Sequence, residues 1–162
     1  MKKILYLTND FPYPLDGGSK VRVKAVLWEL AKYYSITFVA SVPHNEMMSK
    51  DRQRFSHQRI STHIFGRPRM PIEKYLMALS PFTPPLARNF YFQQAQEFIE
   101  CEIEQKEYQC LVTDNLYSYL LRPKKVSIPE ILIMHSNDAK VEWDMVFRDY
   151  QGLRKIGAMY SP

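Results

Sequence analysis

The residues best suited to chemistry lie near the amino terminus. Thr8-Asn9-Asp10 leads into Phe11-Pro12-Tyr13-Pro14 and then Leu15-Asp16-Gly17-Gly18-Ser19-Lys20-Val21-Arg22. Paired glycines let a ligand come close to the main chain. Lys20, Arg22 and Lys24 put three cations into the first turn and a half of the helix that follows. The helix dipole disfavours a cation there by about 0.3–1 kcal/mol, and a bound anion would reverse that sign. Gly17, Gly18, Ser19 and Arg22 are therefore candidate anion-binding residues. The alternative is that these long cations simply reach water. The third glycine of G-x-G-x-x-G is missing, the next glycine is Gly66, and no Walker pattern is present, which argues against a P-loop or a standard dinucleotide site.

His135 closes an apolar run and precedes Ser136-Asn137-Asp138, a helix N-cap cluster. An imidazole at this place acts either as a general base or donor to developing charge, or as a half-buried structural histidine bonded to a neighbouring loop. Glu142, beside Trp143, is placed to bond ligand hydroxyls or to pair with Lys140 or Arg22. It is otherwise an ordinary solvated carboxylate. Asp114, next to Asn115, reads first as a helix cap. Cys101 and Cys110 have no metal-ligand spacing and read as small, buried or half-buried, reduced thiols.

The elements that must position these residues follow from hydrophobic periodicity. Strands are expected at Lys3–Leu7, Ile36–Ala40, Ile60–Phe65, Gln109–Thr113 and Glu130–Met134. A helix starts near Lys20 with Ser19 as N-cap, and its stripe is Val23, Val26, Leu27, Leu30, Ala31 and Tyr34. A polar helix covers His44–Phe55 and a short helical piece Ile72–Leu79. A long helix runs from about Asn89 to Glu107 with Tyr91, Ala95, Phe98, Ile99 and Ile103 on one face. A short helix or turn covers Leu116–Leu121, and a last helix Ala139–Asp149. Alternating strands and helices imply βαβ units and a mainly parallel sheet flanked by helices. In such a sheet all strand ends meet at one edge. Asn9-Asp10, Gly17-Gly18, His44, Asp114-Asn115 and His135-Ser136-Asn137 would then share one crevice, the place where open α/β sheets bind ligands.

The chain has 162 residues, enough for one domain with a substantial core. At 46% hydrophobic and 24% charged it has a globular composition. No apolar run approaches a membrane span, and the apolar run after Met1-Lys2-Lys3 is too short for a signal peptide, so a cytoplasmic protein is expected. The net charge of +5 is uneven: Arg52 to Arg88 holds seven cations and one acid, Glu73. That basic segment is either a solvated surface or a contact for an anionic partner such as membrane headgroups. The aromatics from Tyr75 to Phe92 fit an interfacial membrane contact, single-stranded nucleic acid or a cover folded onto the core. No nucleic-acid-binding motif is present, so no nucleic-acid partner is expected.

Two stretches resemble a known family. One is Lys3-Ile4-Leu5-Tyr6-Leu7, Phe11 to Ser19, Arg22, Leu27 to Leu30 and Tyr34-Ser35-Ile36-Thr37-Phe38-Val39. The other is Ile131 to Trp143, ILIMHSNDAKVEW. They resemble the amino-terminal domain of family 4 glycosyltransferases of GT-B architecture. The resemblance implies a three-layer Rossmann-like domain over residues 1–150. Residues 151–162 would be a tail or the start of a linker. It implies a nucleotide-sugar donor as substrate, with no cofactor and no bound metal. Gly17, Gly18, Ser19 and Arg22 would lie near the donor diphosphate, and His135 near the reacting sugar as a catalytic candidate. Asp16, Asp114, Asn137 and Glu142 would face a glycan, polysaccharide or lipid-linked acceptor. Further implied partners are a carboxyl-terminal donor-binding domain and, through Arg52–Arg88, the inner face of an anionic membrane. Ser136 departs from the family pattern, which commonly has Asn or Asp directly after the histidine. The E-x(7)-E motif of the donor half has no match, so a fragment of a longer enzyme is expected. The rival reading is a non-catalytic α/β adaptor docking on anionic surfaces.

Overall fold

The structure, a computed structural model, describes residues 1–43, 55–67, 93–115, 117–123 and 125–134. The elements are β1 (Lys3–Thr8), α1 (Gly18–Leu30), β2 (Ser35–Pro43), β3 (Ile60–Arg67), α2 (Gln93–Gln105), β4 (Cys110–Asp114), a 3-10 turn (Ser118–Leu121) and β5 (Glu130–Ile133). The expected helices at His44–Phe55 (but for Phe55 itself), Ile72–Leu79 and Ala139–Asp149, and the tail at 151–162, lie outside the described residues.

All five strands are parallel, in the order β3-β2-β1-β4-β5. Every residue of β1 from Ile4 to Thr8 is buried, because a central parallel strand is covered on both faces. Ile4 and Tyr6 point to one face, where Val23, Leu27 and Ala31 meet Ile36, Phe38 and Val112. Leu5 and Leu7 point to the other, against Ala95 and Ile99 of α2, Val39, Leu111 and Leu121. Each such side chain contributes about 1.5–3 kcal/mol when fully buried. Two helices on opposite faces of one parallel sheet make a three-layer, Rossmann-like α/β fold, as the alternating pattern implies.

Element ends differ from the sequence expectation in instructive ways. β2 continues past Ala40 because β3 pairs with it as far as Pro43 opposite Arg67, and Ser41, polar but fully buried, hides that continuation in the sequence. α1 begins at Gly18, with Gly17 at the N-cap and no side-chain cap bond. Ser19 is thus inside the first turn and is not the cap. In the expected stripe, Val23, Leu27 and Ala31 are buried, whereas Val26, Leu30 and Tyr34 pack at its margin.

Candidate functional site

The strand order reverses between β1 and β4, so the chain leaves these neighbours in opposite directions. A crevice opens outside their carboxyl ends. Thr8 pairs with Asp114 across the ladder. Residue alternation puts Tyr6, Thr8 and Asp114 on the face that carries α1. Asp114 is fully buried, and a carboxylate at that depth is tolerated only when paired and hydrogen-bonded. It accepts from Arg22 Nη2 of α1 at 3.3 Å and from Thr8 Oγ1 at 3.4 Å. The Thr8 hydroxyl oxygen also accepts from the Asp10 amide at 3.1 Å, which shapes the exit from β1. Tyr6 lies below, its hydroxyl buried without a hydrogen bond of good geometry. Burial, and then the charge of Asp114, push that phenol far above its ordinary pKa.

A second set of bonds ties the two strand ends together. Asn115 Nδ2 donates to Asn9 Oδ1. Ser118 Oγ lies 3.2 Å from that same oxygen. Asn115 Oδ1 accepts the Ser118 amide at 2.9 Å, capping the 3-10 turn. Capping here falls to Asn115 and not to Asp114, whose carboxylate is turned toward Arg22. Asn115 holds φ at 82°, a left-handed conformation that asparagine tolerates better than most residues. Ser118 was not legible as a site residue. The signal for the clasp was an asparagine directly after each of two neighbouring strands.

The glycine bend lies at the amino end of α1. The first helical bond there runs from the Val21 amide to the Gly17 carbonyl at 3.1 Å. The amides of Gly18, Ser19 and Lys20 therefore have no acceptor within the helix. Gly17 is extended, at φ −150° and ψ 153°, a backbone any residue adopts. Among the described residues, no atom lies within 4 Å of a Cβ built on Gly17 or Gly18. Neither conformation nor packing there requires glycine, and the main chain is left open on that side.

The three helix cations are not three free charges. Lys20 pairs with Asp16 at 3.1 Å and Arg22 with Asp114. Lys24 lies over the rings of Tyr13 and Trp28, 4.9 and 5.7 Å from their centroids. Asp16, Gly17, Gly18, Ser19 and Arg22 thus occupy one end of α1, which Arg22 fastens to Asp114. His44, His135, Asn137 and Glu142 lie outside the described residues.

Other polar groups lie away from this crevice. His63 of β3 stacks on Phe98 of α2 at 4.5 Å and bonds Ser61 Oγ at 3.2 Å through Nε2. Burial holds its pKa below the ordinary value, against the pull of Glu102. Glu102 takes both carboxylate bonds from Lys106, at 2.7 and 2.9 Å, and a third from the Tyr108 hydroxyl. Burial raises the Glu102 pKa, but these bonds outweigh it and leave the group below its usual range. A recess of about 480 Å³ at the opposite end of α1 is lined by Ala31, Lys32, Ser56, His57, Gln58 and Arg59. The Arg59 guanidinium there is engaged by the carbonyls of Ala31 and Lys32. Most of the basic Arg52–Arg88 segment, and all of the aromatic Tyr75–Phe92 stretch, lie outside the described residues. Cys101 is exposed, contrary to expectation, because its position faces away from the apolar stripe of α2; Cys110 is half-buried. Among the described residues no cluster of three His, Cys, Asp or Glu could hold a metal ion. No helix there is long and apolar enough to cross a membrane. Comparison of the chain with protein-family models, curated proteins and solved structures finds no match.

Proposed function

We propose that this chain is the acceptor-side half of a GT-B glycosyltransferase similar to family 4, which moves a sugar from a nucleotide-sugar donor to a glycan, polysaccharide or lipid-linked acceptor. The observation that supports the reading most is the Gly17–Gly18 bend, open among the described residues and joined through Arg22 to the carboxyl ends of β1 and β4. In glycosyl transfer an acceptor hydroxyl oxygen bonds to the anomeric carbon and loses its proton, which the departing diphosphate can take up. The bond from that carbon to the diphosphate breaks, and its electron pair leaves on the diphosphate oxygen. Amides and a guanidinium aimed at that oxygen stabilise the developing charge. In this reading the bend and Arg22 serve the diphosphate. By the resemblance, Asp16, Asn137 and Glu142 would face acceptor hydroxyls, and His135 would be near the reacting sugar.

A nuclear magnetic resonance titration of the chain with nucleoside diphosphates and nucleotide sugars tests the proposal. The Gly17, Gly18 and Ser19 amides should shift together, and Arg22→Ala should weaken the response. Silent amides at millimolar ligand, or shifts confined to the recess around His57 and Arg59, would overturn it.

A further inference from the structure

The buried carboxylate of Asp114 is costly to hold, and on the acceptor reading it would face a sugar. Its position gives it different work. It is fully buried and stands opposite Thr8 in the ladder, with one oxygen shared between Thr8 Oγ1 and Arg22 Nη2. Arg22 is about a third exposed, its side chain at 31%. Among the described residues its Nε is buried without a partner. Among the described residues Asp114 takes one N–H group of the guanidinium, and the exposed third of the side chain leaves room for a second oxyanion. A free arginine side chain would sample many rotamers, and holding it in one lowers the entropy lost on binding.

We propose that Asp114 is a positioning residue that acts through Arg22. It fixes the guanidinium at the mouth of the β1–β4 crevice, ready for a phosphate or diphosphate oxygen, and it does not touch the ligand itself. The inference rests on the oxyanion reading of the glycine bend. It replaces the acceptor contact implied by resemblance with a link from β4 to α1. Thr8 donates to the same carboxylate oxygen and helps to hold it, so the order of contact is Thr8, Asp114, Arg22, ligand.

A double-mutant cycle with inorganic pyrophosphate as probe tests it, because coupling isolates an effect transmitted through one partner. Asp114→Asn keeps the shape of the side chain and should weaken pyrophosphate binding about fivefold to tenfold in the wild-type background. In the Arg22→Ala background it should change binding by less than twofold. An equal loss in both backgrounds, or tighter binding once the negative charge is gone, overturns the proposal. Should Asp114→Asn fail to fold, the wild-type chain still decides. Its Arg22 guanidinium should show slowed rotation, with separate Nη resonances, before any ligand is added. A freely rotating guanidinium overturns the proposal. If wild-type protein binds no pyrophosphate, the oxyanion reading falls and this inference falls with it. Binding with equal losses in both backgrounds removes the role of Asp114 alone.

Discussion

Asn9 and Asn115 show how much one pair of amides can decide. Each follows a strand, and together with Ser118 they bind the exits of β1 and β4. Asn115→Ala removes the bonds of the Asn115 side chain to Asn9 and Ser118 and leaves an alanine at φ 82°. The backbone conflict costs about 1–2 kcal/mol, and each lost hydrogen bond about 0.5–1.5 kcal/mol. Urea unfolding should therefore show Asn115→Ala destabilised by about 2–4 kcal/mol. Asn115→Gly, which loses the clasp but not the backbone fit, should recover about 1–2 kcal/mol of that. Equal losses for the two variants would mean that the left-handed backbone carries no strain. Residue-level detail of this kind was only partly legible. Asp114 and Arg22 could be named from their types and places. Their pairing could not, because it depends on which face of β4 looks toward α1, and a five-residue strand leaves that open until its register is set.

At the scale of elements, α1 carries a trade between helix stability and an open main chain. Gly18 occupies a helical position with free space where a Cβ would go. Gly18→Ala should stabilise the fold by about 0.5–1 kcal/mol, because glycine is the weaker helix former. The same methyl group covers the bend, so pyrophosphate binding should weaken. Denaturant titration and ligand titration of the one variant measure both effects. A gain in stability with unchanged binding would show that the ligand lies elsewhere. The packing of α2 on β3 carries a different sensitivity, to acid. His63 has a lowered pKa in the fold, so the unfolded chain takes up its proton first. Stability should fall as pH drops below the ordinary histidine value, near 6.5. Glu102 also has a lowered pKa. Its contribution is present above the ordinary glutamate value and is lost as pH falls through the folded one. Melting the wild type, His63→Phe and Glu102→Gln from pH 8 to pH 3 should show the first variant flattening the upper part of the decline and the second the lower part. Unchanged slopes would remove the assignment. Helix and strand periods made these elements visible in the sequence. Their ends were less visible, since a glycine N-cap without a side-chain bond and a buried Ser41 give no local signal.

For the whole molecule, one strand organises the rest. β1 has a neighbour on each side, and both of its faces are covered. Among the described residues β5 has only β4 beside it, and Ile131, Leu132 and Met134 are exposed around it. Amide hydrogen exchange should therefore be slowest in β1 and its partners β2 and β4, and markedly faster in β5, because local opening follows burial and contact density. Uniform protection across all five strands would contradict that gradient. The architecture was the most legible level: alternating strands and helices at domain length admit few arrangements besides a parallel sheet with helices on both faces. The site was legible where the sequence showed a bend and a strand end. It was not where polar groups chose partners across the sheet.

Cys101 gives this molecule a built-in handle. Its thiol is exposed on α2, a helix that packs on the side of the sheet away from α1. Cys110 is half-buried, and burial pushes its thiol pKa up, which slows its alkylation at neutral pH. A maleimide fluorophore used in small excess should accordingly mark one position. The dye would ride on the back of the molecule while titrants are added at the front, leaving the glycine bend unlabelled.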